Sequence, residues 1–235
     1  MSYPGGKAAD GVYHKIINQI PPHDVYIEPF LGNGGIMRNK KPAVASIGID
    51  VDGDVVRSWM DRHAQNSDAG LVPGLIVKKG DAISFLKSYG WQGGEFVYCD
   101  PPYLREVRAS KKPIYKHEFW TPEQHTQLLN VLKTLPCMVA ISGYWSSLYE
   151  SSLQGWRTIN YQAGTRGGTA VTEWLWMNYP EPTALHDYSY LGENFRAREK
   201  ITRQKRRWRA RLLRMSMLQR YALLSTIAEL GEPDR

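Results

Sequence analysis

Short apolar runs alternate with amphipathic segments over the first 180 residues. This alternation predicts an α/β fold with a mostly parallel sheet that is covered by helices on both faces. Five strands are predicted at residues 25–28, 44–49, 75–77, 96–99 and 138–141. Two more, at 158–161 and 171–178, are expected to close the sheet as an antiparallel pair. Helices are predicted at 6–19, 53–63, 82–89 and 122–135, the last with Thr121 as its N-cap and Pro122 in its first turn.

The pattern changes after residue 182, where the alternation of strands and helices ends. Residues 193–230 contain neither proline nor glycine, and this predicts one long helix or a helical hairpin. An apolar stripe with helical spacing runs along it through Ile201, Trp208, Leu212, Met215 and Ala222. The chain is therefore expected to hold an α/β domain at 1–182 and a helical extension at 193–230.

The positive charge of the chain is concentrated in that extension. The net charge is +7, but residues 194–220 alone carry eleven basic groups and one acidic group, which leaves the rest at −3. Such asymmetry indicates a polyanionic partner for the extension. A solvated basic helix face is the alternative interpretation.

Several classes of protein are disfavoured by composition. No run of eighteen apolar residues is present, and the first residues lack the apolar stretch of a secretory signal, so a cytoplasmic protein without a membrane partner is expected. Cys99 and Cys137 form neither a disulfide framework nor a metal-ligand spacing. We therefore expect no metal.

The segment Asp100-Pro101-Pro102-Tyr103 carries the most specific chemistry. It follows a predicted strand, and ligands of open α/β sheets bind at the carboxyl ends of strands. The prolines donate no hydrogen bond, so carbonyls point outwards beside a carboxylate and a flat ring. Together these groups can hold an aromatic amine. The ordinary alternative is a turn that caps a strand.

Acidic residues end four consecutive strands, namely Glu28, Asp50, Asp81 and Asp100. Side by side at one sheet edge, they would line a crevice suited to a cationic, adenosine-bearing cofactor, with Asp50 accepting from a ribose. For Asp81 an N-cap of the following helix is an equally good interpretation. The glycine-rich segment 28–35 lets a ligand approach the backbone closely, and cofactor contacts are assigned within it to Phe30, Gly32 and Gly34.

Five motifs in order resemble the Dam-type DNA adenine N6-methyltransferases, which use S-adenosylmethionine (SAM). They are Tyr3-Pro-Gly-Gly-Lys7, the segment 28–35, Asp100-Pro-Pro-Tyr103, the segment 119–125 and the segment 172–179. The resemblance implies a Rossmann-like, seven-stranded mixed sheet of the class I methyltransferase type. It also implies cofactor contacts from Tyr3 and Lys7, and direct methyl transfer to a flipped adenine held by Asp100, Pro101, Pro102 and Tyr103.

The chain departs from that family at one place. Eighteen residues separate Asp81 from Asp100, where the family carries its target recognition domain, so relaxed or short sequence specificity is expected. DNA contacts are then assigned to the loop after the motif and to the basic extension. The assigned residues are Arg105, Arg108, Lys111, Lys112, Tyr115, Arg196, Arg203, Arg206, Arg207 and Arg209. A homodimer through the C-terminal helix is a further hypothesis.

Two other functions fit the same residues. The same chemistry could act on RNA adenine or on cytosine N4, because each presents an exocyclic aromatic amine. A protein of another class, one that binds nucleic acid on an inactive methyltransferase fold, is the second alternative. The complete Asp100-Pro-Pro-Tyr103 motif argues against it.

Overall fold

The computed structural model describes residues 7, 11–65, 72–108, 112–113, 116–164 and 170–231. The strands are β1 (Val25–Glu28), β2 (Ala45–Asp50), β3 (Leu75–Lys79), β4 (Glu95–Cys99), β5 (Met138–Gly143), β6 (Arg157–Gly164) and β7 (Ala170–Met177). The helices are α1 (Val12–Ile17), α2 (Gly35–Asn39), α3 (Gly53–Gln65), α4 (Ala82–Ser88), α5 (Pro122–Thr134), α6 (Ser147–Ser152), α7 (Phe195–Leu213) and α8 (Met217–Gly231).

The strands form one sheet in the order β3-β2-β1-β4-β5-β7-β6. β1 pairs in parallel with β2 and β4, and the parallel arrangement continues outwards to β3 and β5. β7 pairs antiparallel with both β5 and β6. The predicted seven-stranded mixed α/β sheet is therefore confirmed.

The strand order reverses direction between β1 and β4. The chain runs outwards through β2 and β3 on one side, then returns to begin β4 next to β1. At such a switch point the connections leave in opposite directions, which opens a crevice beyond the carboxyl ends of the two strands. Glu28 ends β1 and Asp100 follows β4, so both carboxylates lie at this crevice.

The core is built from the central strands and the helices that cover them. Ile27, Val97 and Val139 are neighbours across β1, β4 and β5, and all three are fully buried. On one face α5 contributes Leu128 and Leu132 to the same cluster. Burial of each such side chain stabilises the fold by about 1.5–3 kcal/mol.

The predicted start of α5 is confirmed. Thr121 accepts from the Gln124 backbone N–H, the Gln124 side chain accepts in return from the Thr121 N–H, and Pro122 opens the helix. This capping box satisfies two backbone donors of the first turn.

Several elements differ from the sequence prediction. The short helices α2 and α6 were not predicted, because five or six residues are too few to show a helical period. α1 begins at Val12 with Gly11 as its N-cap, and residues 6 and 8–10 of the predicted helix lie outside the described part. The predicted strand at 44–49 is displaced by one residue, because Val44 is exposed and Asp50 joins the pairing with β3.

The chain divides into two compact units, Met1–Asp187 and Tyr188–Arg235. In the second unit the predicted helical region is broken into α7 and α8 at residues 214–216. Ser216 accepts from the Gln219 N–H and the Gln219 side chain accepts from the Ser216 N–H, so a second capping box starts α8. None of the helices in the described part of the chain has the length and apolar character needed to cross a membrane.

Gly48 permits close packing of the glycine-rich loop against β2. A Cβ atom at this position would lie 2.6 Å from Cδ2 of the fully buried Leu31. We expect Gly48→Ala to lower the free energy of unfolding by about 1–3 kcal/mol through overpacking. Gly90→Ala is the matched control, because a Cβ atom there meets nothing within 4 Å. Urea unfolding of both variants checks this, and equal stabilities would contradict it.

Candidate active site

A cavity of about 500 Å³ opens at the carboxyl ends of β1, β2 and β4. All four acidic residues predicted at strand ends border it, together with the glycine-rich loop and the Asp100 corner. Its lining includes Lys7, Glu28, Phe30, Gly32, Gly34, Asp50, Asp81, Asp100, Pro101, Pro102, Tyr103 and Phe119. The sequence-predicted residues in this list are therefore brought together around one space, whereas Tyr3 lies outside the described residues.

The glycine-rich loop is fixed by contacts at both of its central glycines. The Gly32 N–H donates to Asp50 at 2.8 Å, and the Trp59 indole donates to the Gly32 carbonyl at 2.9 Å. Gly34 has a φ of 58°, and a Cβ atom there would collide with the Trp59 ring. Glycine is thus required for both backbone conformation and space, and the loop backbone faces the cavity.

Asp50 is buried and accepts backbone hydrogen bonds from Gly32 at 2.8 Å and Asp52 at 2.9 Å. Burial raises its pKa, while the two hydrogen bonds oppose that rise. A carboxylate offers about four acceptor positions, so two remain for a ligand hydroxyl. Asp81 is exposed and caps α4 through the Ser84 N–H at 2.8 Å, which is the alternative role that the sequence allowed.

Glu28 is held almost entirely out of water at the end of β1. Its side chain accepts from the Tyr26 hydroxyl at 3.3 Å, and Asp100 lies close enough to repel it. Burial, followed by this repulsion, raises the pKa of Glu28 to about 8. The group is therefore mainly protonated at neutral pH, and a cation entering the cavity would favour its ionised form.

Asp100 accepts from three different side chains. Ser142 on β5 donates to Oδ1 at 2.8 Å, Tyr103 donates to the same atom at 3.2 Å, and Lys7 contacts both carboxylate oxygens at 2.8 Å. Burial and the neighbouring Asp100 raise the pKa of Tyr103 well above its ordinary value, so its hydroxyl stays protonated. The carboxylate is thereby fixed in one orientation towards the cavity.

Two residues that the sequence analysis did not assign support this corner. His125 is fully buried on α5 and contacts the Tyr149 hydroxyl at 2.7 Å and the Phe119 carbonyl at 3.0 Å. Burial lowers the pKa of His125 to about 4, so the ring is neutral and holds the loop by hydrogen bonds. Ser142 lies in an apolar strand, where a lone serine gives little sign of its partner.

Glu173 is the third unassigned residue. It lies on β7, is buried, and its carboxylate is 3.4 Å from Lys7 Nζ. The Tyr161 hydroxyl donates to it at 3.3 Å from the neighbouring strand. The available signal was the only charged residue within the mainly apolar strand Ala170–Met177.

The residues assigned to DNA contacts have different environments. Arg105 is exposed and its guanidinium lies over the Trp120 ring at 5.1 Å, and Lys112 is exposed as well. Arg108 is buried and donates to Glu118 at 3.0 Å, which differs from the surface position that the sequence suggested. Lys111 and Tyr115 lie outside the described residues.

In the second unit, α7 has no buried residue. The five arginines assigned to DNA contacts on this helix are exposed: Arg196, Arg203, Arg206, Arg207 and Arg209. One of them, Arg203, forms an ion pair with Glu199 across one helical turn. Among the described residues, no cluster of histidine, cysteine, aspartate and glutamate side chains could hold a metal ion.

Residues 74–159 match the sequence model of the D12 class N6 adenine-specific DNA methyltransferases. The match runs from β3 into β6, so it includes Asp100 but neither Lys7 nor Glu173. It spans less than half of the chain and is a similarity to that family over the middle of the sheet. No curated protein sequence matched the chain.

Solved structures resemble the chain only distantly. A SAM-dependent methyltransferase from Methanosarcina mazei is 10% identical, with a TM-score of 0.49, and the match covers 69% of this chain and 95% of that one. A precorrin 8W decarboxylase from Methanobacterium thermoautotrophicum is 13% identical (TM-score 0.46; coverage 74% and 91%). A magnesium protoporphyrin IX methyltransferase from Synechocystis PCC 6803, solved with bound SAM, is 11% identical (TM-score 0.44; coverage 71% and 75%). Such distant matches assign neither a substrate nor a residue's role.

The raised pKa of Glu28 predicts a pH-dependent stability. Because the folded protein keeps a proton on Glu28 up to a pKa of about 8, whereas the unfolded chain loses it near 4.5, stability should fall as pH rises between these values. We expect Glu28→Gln to remove this slope and to be more stable than wild type at pH 8, by about 1–4 kcal/mol.

Thermal unfolding from pH 5 to pH 8 measures this effect. Glu181→Gln is the control, because this side chain is exposed, and it should keep the wild-type slope. A Glu28→Gln protein with the same pH dependence as wild type would show that Glu28 is ionised in the folded state.

Proposed function

We propose that this protein transfers a methyl group from SAM to the N6 amine of an adenine flipped out of DNA, with relaxed or short sequence specificity. The observation that carries the proposal is the position of Asp100-Pro101-Pro102-Tyr103 at the crevice where the strand order reverses. A carboxylate, a proline carbonyl and a ring meet there at the mouth of a cavity large enough for a nucleoside. The family similarity over residues 74–159 supports the same chemistry.

The donor set of the cavity fits a cationic adenosine derivative. Asp50 has acceptor positions left for a ribose, and the Phe30 and Phe119 rings, 5.2 Å apart, offer apolar surface for a purine. Asp100 supplies negative potential on the side where a sulfonium would lie, and a cation there would favour the ionised form of Glu28. When bound, SAM supplies a methyl group on a positively charged sulfur, which needs no metal or covalent enzyme intermediate.

The residues of the corner act on the amine of the base. Asp100 and the Pro101 carbonyl accept its two hydrogens, which turns the nitrogen lone pair out of the ring and towards the methyl group. The nitrogen forms a bond to the methyl carbon as the carbon–sulfur bond breaks, and the bonding pair stays on sulfur. The nitrogen then loses a proton, which Asp100 is placed to receive. Tyr103 supports the base with its ring, and such positioning can lower the barrier by roughly 7–11 kcal/mol.

Binding to DNA is assigned mainly to the exposed arginines of α7. Between β3 and β4 the chain holds α4 alone, so no recognition module is inserted there. Phosphate contacts by arginine give affinity without sequence information. We propose relaxed specificity because these contacts provide affinity while no recognition module reads the sequence. The affinity must also offset the cost of flipping the base out of the duplex, about a few kcal/mol.

Asp100→Ala tests the catalytic role. We expect transfer of labelled methyl from SAM to unmethylated duplex DNA to fall by at least about a thousand-fold, while DNA binding is retained. Asp61→Ala, an exposed change on α3, should transfer methyl at the wild-type rate. Nucleoside analysis of the product identifies the methylated atom.

The same assay distinguishes the alternatives. Label in N4-methylcytosine or in RNA alone would replace the proposed substrate, and label in one long DNA motif would refute relaxed specificity. DNA binding without transfer to any nucleic acid would identify an inactive methyltransferase fold.

Replacement of two exposed arginines tests the role of α7. Arg206→Gln with Arg207→Gln should weaken DNA binding on every sequence, and should reduce the slope of log K against log salt by about 1–2. The control is Lys87→Gln with Lys133→Gln, which removes the same charge from exposed positions on α4 and α5 and should keep the wild-type salt slope. Titrations by fluorescence anisotropy at several salt concentrations measure both slopes, and equal slopes would exclude α7 as the main DNA contact.

A further inference from the structure

Lys7 lies between two carboxylates from different strands, of which Glu173 is buried and Asp100 is partly buried. Its Nζ is 2.8 Å from both oxygens of Asp100, at the end of β4, and 3.4 Å from Glu173 on β7. The lysine side chain is 5% exposed and that of Glu173 is 9% exposed, so water screens these charges weakly. The cluster holds one positive and two negative groups at the edge of the cavity.

The proposed function creates a conflict at Asp100. The carboxylate must accept from the amine of the base, yet the Lys7 ammonium is centred on both of its oxygens. A lysine kept in that position would weaken the acceptor. It would also repel the positive charge that develops on the nitrogen as the methyl group arrives.

We infer that Glu173 is a positioning residue that draws the Lys7 ammonium away from Asp100 when the amine of the base binds there. This inference rests on the proposed function. Lysine has a flexible stem and a point charge, so it can move between two acceptors without losing an ion-pair partner. Glu173 is less free to move, because Tyr161 donates to it and β7 pairs with strands on both sides.

The charge of Glu173 has a second effect on the same step. With Glu173 ionised, the cluster of Lys7, Asp100 and Glu173 is net negative, which favours a cationic methyl donor and a nitrogen that becomes positive. Without the charge of Glu173, the positive charge of Lys7 neutralises the negative charge of Asp100. Replacement of Glu173 by an uncharged residue should therefore slow the chemical step more than it weakens binding of either ligand.

Kinetics of Glu173→Gln and of Glu173→Asp on duplex DNA test the inference. We expect Glu173→Gln to lower kcat by at least about ten-fold, with KM for DNA and the Kd of S-adenosylhomocysteine changed by less than about three-fold. Glu173→Asp keeps the charge and should recover a large part of kcat. Thr158→Val is the control, because this residue is exposed on β6 outside the motif segments, and it should keep the wild-type kcat.

A double-mutant cycle with Lys7→Met separates positioning from a general structural effect. If Glu173 acts through Lys7, Glu173→Gln should lower kcat no further in the Lys7→Met protein. The thermal unfolding midpoints of the same four proteins give a readout without activity. The decrease in unfolding midpoint of the double variant should be smaller than the sum of the decreases in the two single variants.

The outcomes are distinct. An unchanged kcat in Glu173→Gln overturns the inference while the proposed function stands. So does a result in which Glu173→Gln lowers kcat by the same factor in the wild-type and Lys7→Met backgrounds. A parallel fall in kcat and S-adenosylhomocysteine affinity that Glu173→Asp does not recover also overturns it. Absence of methyl transfer by the wild-type protein overturns the proposed function, and the inference with it.

Discussion

A buried ammonium requires opposite charge close by, and the environment of Lys7 follows from this requirement. Removal of a charged group from water is costly unless nearby groups pair with it. Lys7 contacts Asp100, which is 93 residues away along the chain, and Glu173, which is farther still. The cluster thereby ties the first described residue to two strands that β5 separates in the sheet. The packing of these strands and the neutralisation of the buried charges therefore depend on the same three side chains.

The predicted residues that the structure brings together around the cavity have local signals. A strand followed by Asp100 and two prolines, a glycine-rich turn after β1, and Thr121 followed by Pro122 each specify their own geometry within a few residues. The parallel sheet then brings the strand ends together, because consecutive parallel strands present their carboxyl ends at the same edge. The acidic and glycine-rich part of the cavity lining could thus be listed without knowledge of any side-chain contact.

The remaining parts depend on partners that are distant in sequence. Glu173 and Ser142 are polar residues in mainly apolar strands, and His125 is one of several polar residues at the start of α5. Their roles follow only from contacts with Lys7, Asp100 and Phe119, respectively. Arg108 shows the converse case. Its residue type and loop position suggested a phosphate contact, whereas Glu118 pairs with it inside the protein. Composition identifies charged residues, but only tertiary packing decides which of them face solvent.

The position of β7 has a consequence for synthesis of the chain. β7 is last in sequence, yet it lies between β5 and β6 and carries Glu173. A nascent chain that has emerged only to Gly164 holds Asp100 without the second carboxylate, and its sheet cannot yet be complete. The basic helix α7 leaves the ribosome later still. Vectorial synthesis therefore releases every residue of the cavity edge before the most positively charged segment of the chain.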